Sequence, residues 1–232
     1  MVRARIGPYL PGPNDENEGI YTGDAWELAK DIPAHSIDLI YADPPWNEPA
    51  LIGLALDIAS MTLRPGGHLL LQPGLSNVPA AIKRGDLYGN LSYRSILAIH
   101  HQGDIHKDWT NRLFEWWAPL LWYSNGPPKW VSGNLMASLV KNRKSKRRHE
   151  WEQGIEVPFY YIHELTEEGA VIMDPFTGSG TVPAACKMLG RQWLAFEKNS
   201  VTAGLARTRL QETQPPLIVT NPGQLSLEEA VR

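Results

Sequence analysis

Two short segments carry residue types at spacings that can do chemistry. In the first, Asp43-Pro44-Pro45-Trp46, a carboxylate stands three residues before a large aromatic ring, and two prolines stiffen the chain between them. This set suits the activation of a weak amine. An amino group on an aromatic heterocycle is a poor nucleophile because its lone pair is delocalised into the ring. A carboxylate that accepts a hydrogen bond from the amine draws the nitrogen toward tetrahedral geometry and frees that pair. Asp43 can supply this acceptor, and a carbonyl beside a proline, rigid because φ is locked, can supply a second. Trp46 offers a face on which a flat base, taken out of its stack, can rest. On its own the tetrapeptide reads equally well as a loop around a buried tryptophan.

The second segment is Asp174-Pro175-Phe176-Thr177-Gly178-Ser179-Gly180-Thr181. Gly178 and Gly180 remove side chains where backbone must approach a ligand. Glu197, after the next apolar run, can accept hydrogen bonds from both hydroxyls of a ribose. The glycine spacing departs from the dinucleotide pattern, and no Gly-Lys-Ser/Thr follows, so a phosphate loop fits poorly. Asp174 at the head of the turn argues against a phosphate and for a cationic or amino-bearing ligand.

The surrounding elements place both segments at strand ends. Ser36–Ala42 is an apolar, β-branched run that stops at the two prolines. Residues 50–63 carry Leu51, Leu54, Ile58, Met61 and Leu63 at helical spacing, and Arg64-Pro65-Gly66-Gly67 ends that helix. His68–Gln72 follows as a short strand. Ala170–Met173 is a strand into the second segment, Pro183–Leu189 a helix after it, and Trp193–Phe196 a strand ending at Glu197. Short helices are expected at 25–30, 155–165 and 205–210, and strands at 94–100 and 120–123. Strand–helix–strand units imply a parallel sheet covered by helices. In such sheets ligands bind beyond the carboxyl ends of the strands, which moves the first segment from loop toward site.

Together the two segments resemble the amino-methyltransferases of DNA, in which Asp-Pro-Pro-Tyr/Trp is the catalytic motif and Asp-Pro-Phe-x-Gly-Ser-Gly-Thr the cofactor motif. The catalytic motif comes first here, which resembles the circularly permuted class called β. Further similarity lies in Gly23-Asp24, Arg64–Gly67, Gly190-Arg191, Glu197 and Ala206–Leu210, so the likeness covers about 20–72 and 149–210. The resemblance implies a doubly wound α/β fold with a seven-stranded, mostly parallel sheet and S-adenosylmethionine as methyl donor. It implies catalysis by Asp43, Pro44, Pro45 and Trp46. It implies cofactor contacts from Asp24, Gln153, Asp174, Pro175, Phe176, Gly178, Ser179, Gly180, Thr181 and Glu197. Asp rather than Ser at the head of the first motif points to adenine N6 in duplex DNA, reached by base flipping. Cytosine N4, RNA adenosine N6 and a non-catalytic nucleic-acid-binding relative are the alternatives. A second copy of the chain and a cognate restriction endonuclease are the expected further partners.

Composition fits this reading. The chain has 232 residues, enough to bury one full-sized core, and a net charge of −3. That charge is unevenly spread. Lys141, Arg143, Lys144, Lys146, Arg147 and Arg148 fall within eight residues, and the rest of the chain carries 16 basic against 25 acidic residues. So concentrated a run suits contact with phosphates. Residues 1–18 read as an irregular arm, 19–213 as one domain with a target-recognition insert at about 104–148, and 214–232 as a loosely held tail. Cys186 is the single cysteine, so no internal disulfide forms, and with no apolar run at the N-terminus a cytoplasmic location is expected. His100, His101 and His106 lack a cysteine or carboxylate at ligand spacing, so no metal site is expected. The tryptophans at 109–130 read as core or interface rather than as a stacking platform.

Overall fold

The computed structural model describes residues 11–12, 17–101, 106–108, 112–131, 133–141 and 154–214. Gln153 and the basic run from Arg143 to Arg148 lie outside them, as does almost all of the expected arm and tail. Of Lys141 only the backbone is described.

In chain order the elements are β1 (Ile20–Thr22), α1 (Ala25–Ala29), β2 (Ile37–Ala42), α2 (Pro49–Thr62), β3 (Leu63–Leu71), α3 (Val78–Gly85), β4 (Leu91–His101), β5 (His106–Asp108), β6 (Leu113–Glu115), β7 (Trp117–Asn125), β8 (Ser138–Lys141), α4 (Glu156–Leu165), β9 (Val171–Asp174), α5 (Thr181–Met188), β10 (Gln192–Glu197) and α6 (Ser200–Glu212). Eight strands form one sheet in the order β1-β10-β9-β2-β3-β7-β4-β8. Every neighbouring pair is parallel except those made by β7, which runs antiparallel to both β3 and β4. The expected sheet of seven strands therefore carries an eighth, the short edge strand β8. It was hidden in sequence because four residues of ordinary β character beside a basic run give no periodic signal. β5 and β6 form a separate hairpin.

Helices cover both faces. One apolar layer packs β-strand residues such as Leu39, Tyr41, Leu70 and Ile172 against α4, α5 and α6. The other packs Ile40, Leu69, Leu71 and Met173 against α1, α2 and α3. Alternate residues of β2 and β3 thus feed opposite layers, which is why these strands read as continuous apolar runs. The layers are locked at the strand starts. Asp38 on β2 pairs with Arg64 at 2.7 Å and accepts the backbone N–H of Val171, the first residue of β9, at 2.7 Å.

The expected helices and strands of both halves are present, but Arg64–Gly67, expected as the turn between helix and strand, lies within β3, where the register on β2 shifts. Val78–Gly85, not anticipated, is helical with Pro79 in its first turn, where a missing N–H costs nothing. Within the expected insert at 104–148, Trp117–Asn125 lies inside the main sheet. Trp122 is buried and stacks edge-to-face on the exposed Trp130 at 5.6 Å, while Trp116 is exposed. Trp122 also donates from Nε1 to His68 Nδ1, and His68 Nε2 faces the Lys129 carbonyl. Burial pushes the His68 ring down to about 4, so it stays neutral with its proton on Nε2.

Candidate active site

The two chemical segments meet because their strands are neighbours. β2 and β9 pair in parallel, with Leu39 opposite Ile172 and Ile40 opposite Met173. Asp43 therefore leaves β2 beside the point where Asp174 ends β9. The chain proceeds from β9 outward to β10 and from β2 outward the other way to β3, so the cleft between them is the switch point of the sheet. Glu197 ends β10 next door, and Asp24 follows β1 beyond it.

The first segment is braced from below. Trp46 donates from Nε1 to Asp43 Oδ1 at 3.2 Å, tying the ring to the carboxylate. Pro44 is buried, Pro45 is exposed, and Asp43 and Trp46 are half-buried, so the cleft side of the loop stays open. The chain after β3 supports it. Asn77 donates from Nδ2 to the carbonyls of Trp46 and Pro73, at 2.9 and 2.8 Å. Gly74 lies against the tryptophan with φ +75°, and a Cβ there would come within 2.9 Å of Trp46 Cγ. Gly74 and Asn77 are positioning residues that the sequence reading missed. The Pro73-Gly74 pair after a strand was visible, but nothing in sequence said which side chain it approached.

In the second segment the turn is held by its own amides. Phe176 N–H donates to Asp174 Oδ1 at 3.1 Å, Thr177 N–H to the Phe196 carbonyl at 2.9 Å, and Gly178 N–H to Glu197 Oε2 at 3.0 Å. Pro175, Ser179 and Thr181 are buried, and Phe176 is half-buried against the α1–α3 layer. The glycines play different parts. A Cβ on Gly180 would press within 3.0 Å of Ala206 on α6, whereas one on Gly178 would point into open space. Gly180 thus serves packing, and Gly178 leaves room above the turn for a ligand. Thr181 receives Arg209 Nη1 at 2.9 Å, which explains the buried arginine of α6.

Asp24 and Glu197 also do structural work. Asp24 Oδ1 caps α1 by accepting from the N–H groups of Trp26 and Glu27. Glu197 Oε1 accepts the N–H of Asn199 at 2.8 Å. Each keeps lone pairs for a ligand.

The electrostatics select the ligand's charge. Asp174 is buried, and its carboxyl is pushed up to about 7, chiefly by burial and further by the nearby carboxyls of Asp43 and Glu197. Beneath them Tyr41 is held far above its ordinary range by burial and by Asp43. Three carboxyl groups facing one cleft, with space over Gly178, fit a cation bearing a ribose. S-adenosylmethionine meets this test: its cationic groups would be drawn to Asp174, and its ribose to Glu197.

This sheet, with one reversed strand and a cleft between β9 and β2, is the fold of the S-adenosylmethionine-dependent methyltransferases. Its likeness to solved structures says the same: a TM-score of 0.69 with the M1.HpyAVI complex with S-adenosylmethionine, at 20% identity over 82% of this chain and 98% of that one. With the cytosine-N4-specific PvuII DNA methyltransferase the TM-score is 0.71 at 17% identity over 98% of this chain and 93% of that one. Residues 100–207 match the family model described as DNA methylase, and the two motifs resemble those of the amino-methyltransferases of DNA. Among curated relatives, the type II methyltransferase M.BamHI of Bacillus amyloliquefaciens is 27% identical over 77% of this chain and 54% of its own length. The DNA adenine methyltransferase YhdJ of Escherichia coli is 25% identical over 83% of both chains. The chain spans about half the length of M.BamHI, and 23% of M.HinfI from Haemophilus influenzae.

Proposed function

We propose that this protein methylates the N6 amine of adenine in duplex DNA, using S-adenosylmethionine and a base extruded onto Trp46. The observation that carries the reading is the meeting of Asp43 and Asp174 at the carboxyl ends of paired strands. A donor held over the Gly178 turn and an amine held at Asp43 would face each other across one cleft. The cofactor supplies a methyl group made electrophilic by the sulfonium. The chain's part is positioning: Trp46 carries the base, Asp43 accepts an amine hydrogen, and the prolyl carbonyl accepts another. In-line displacement then needs little beyond alignment, which is where binding energy is most effective. The amine gains the methyl and loses one proton to solvent. Asp43 at the head of the motif and the likeness to YhdJ favour adenine over cytosine.

The basic run from Lys141 to Arg148 is the proposed phosphate contact, continuing from the edge strand β8. Because the segment 104–148 offers little chain for target recognition, a second copy of the chain is the partner proposed to complete it. Incubation with labelled S-adenosylmethionine and either duplex DNA or RNA, followed by digestion to nucleosides, tests the reading. Label on N6-methyladenine from DNA supports it. Label on N4-methylcytosine or only on RNA replaces the substrate, and no label on any nucleic acid refutes it.

A further inference from the structure

A buried carboxamide beside the cleft has an oxygen without a donor. Gln72 is the first residue after β3, 1% exposed, and its Oε1 accepts no hydrogen bond. Its placement follows from the ladder. Ala42 pairs with Leu71, and Gln72 N–H donates to the Ala42 carbonyl at 2.9 Å, so the next step sets Gln72 beside Asp43. Side chains alternate along a strand, and Leu70 and Tyr41 lie in the same apolar layer. Gln72, two residues past Leu70, therefore faces the side of the sheet that Asp43 faces, two residues past Tyr41. The segment that follows, from Pro73 to Asn77, is the one that braces Trp46. A buried carboxamide oxygen without a donor is costly to the fold, and beside a cleft it offers a ligand an acceptor that the protein leaves unused.

We propose that Gln72 reads the extruded base, its carboxamide pairing with the reactive amine and the adjacent ring nitrogen. Oε1 accepts the amine hydrogen on the ring-nitrogen side, shared with the prolyl carbonyl, and Nε2 donates to that nitrogen, N1 of adenine. Asp43 takes the other amine hydrogen. A carboxamide presents this acceptor–donor pair in one plane, and adenine presents the complementary pair. The base is thereby fixed in rotation on Trp46, so that the amine and not another ring edge meets the methyl. This rests on the proposed base methylation and adds the residue that orients the base.

The test compares wild type with Gln72→Met on duplexes that carry adenine or 1-deazaadenine at the methylated position, the latter lacking the ring acceptor. With adenine, Gln72→Met is expected to lower kcat/KM by roughly 10- to 100-fold. Wild type is expected to lose a similar factor on 1-deazaadenine, while Gln72→Met hardly distinguishes the two bases. The melting temperature of the variant should be unchanged or raised, because an orphaned carboxamide has been replaced by an apolar chain of like size. An equal deazaadenine penalty in both proteins, or a variant as active as wild type, overturns the inference while methylation stands. A wild type that methylates no nucleic acid overturns both.

Discussion

Asp174→Asn separates the cost of a buried carboxyl from its use. Asp174 is 4% exposed and its carboxyl is pushed up to about 7 in the folded chain, against 3.8 when exposed. A carboxyl raised on folding binds its proton more tightly in the native state. Its contribution to stability is therefore complete below about pH 4 and is lost as the pH climbs through 7. Between pH 5 and pH 8 this one group should remove about 3 kcal/mol from the free protein. Asparagine keeps the size of the side chain and the acceptor for Phe176 N–H but cannot ionise. The melting temperature of the variant should gain on that of the wild type by about 5–10 °C between pH 5 and pH 8, at the slope of a domain this size. Thermal unfolding of both proteins from pH 5 to 8, without cofactor, measures the difference directly. Titrating groups away from the cleft are common to the two proteins and cancel. The same variant should bind S-adenosylmethionine far more weakly by calorimetry, since the sulfonium loses its counter-charge. Parallel stability curves would refute the buried carboxyl, and undiminished cofactor affinity would refute its role as the cation's partner.

Other perturbations test the remaining parts of the site. Asp43→Ala should cut methyl transfer by about a hundredfold or more while cofactor binding persists, as single-turnover kinetics and calorimetry would show; loss of cofactor binding would place Asp43 in the wrong role. Gly74→Ala forces a side chain into a backbone conformation open almost only to glycine and against the Trp46 ring, so about 1–3 kcal/mol of stability and a larger share of kcat should be lost. Normal kcat in that variant would free Trp46 from the chemistry. Replacing the six basic residues between Lys141 and Arg148 by alanine should weaken duplex binding alike on all sequences and flatten the slope of log K against log salt by up to about 5. An unchanged slope would remove the run from the interface.

Much of this was legible in sequence because the site is built from glycines, prolines and acids at strand ends, where each type has a distinct backbone meaning. Asp43–Trp46 and Asp174–Thr181 fall where the apolar runs predicted. What sequence could not show was contact. Asn77 and Gly74 act on Trp46 across some thirty residues, and Arg209 acts on Thr181 across 28. The family resemblance implies a cofactor contact at Asp24, and the structure shows the residue as a helix cap, a role set by the amides of Trp26 and Glu27. Gln72 read as the end of a buried strand. Only its unanswered oxygen, set beside Asp43 by the register of β3 on β2, gives it a purpose.

The same register explains why the order of the motifs along the chain does not disturb the site. β2 and β9 lie more than 130 residues apart in sequence but pair directly, and the Asp38 carboxylate receives Val171 N–H at 2.7 Å across that interval. The cleft depends on which strands are neighbours and on their shared direction, both fixed by parallel pairing and by helices on each face. The ends of the chain can therefore fall elsewhere in the fold, with the Asp43 segment encoded before the Asp174 turn, and the carboxylates still converge. Since the strands pair only through Leu39–Ile172 and Ile40–Met173, the spacing of Asp43 and Asp174 is set by a contact of two residues a side. The tie from Asp38 then holds the register on which Asp43 and Asp174 depend.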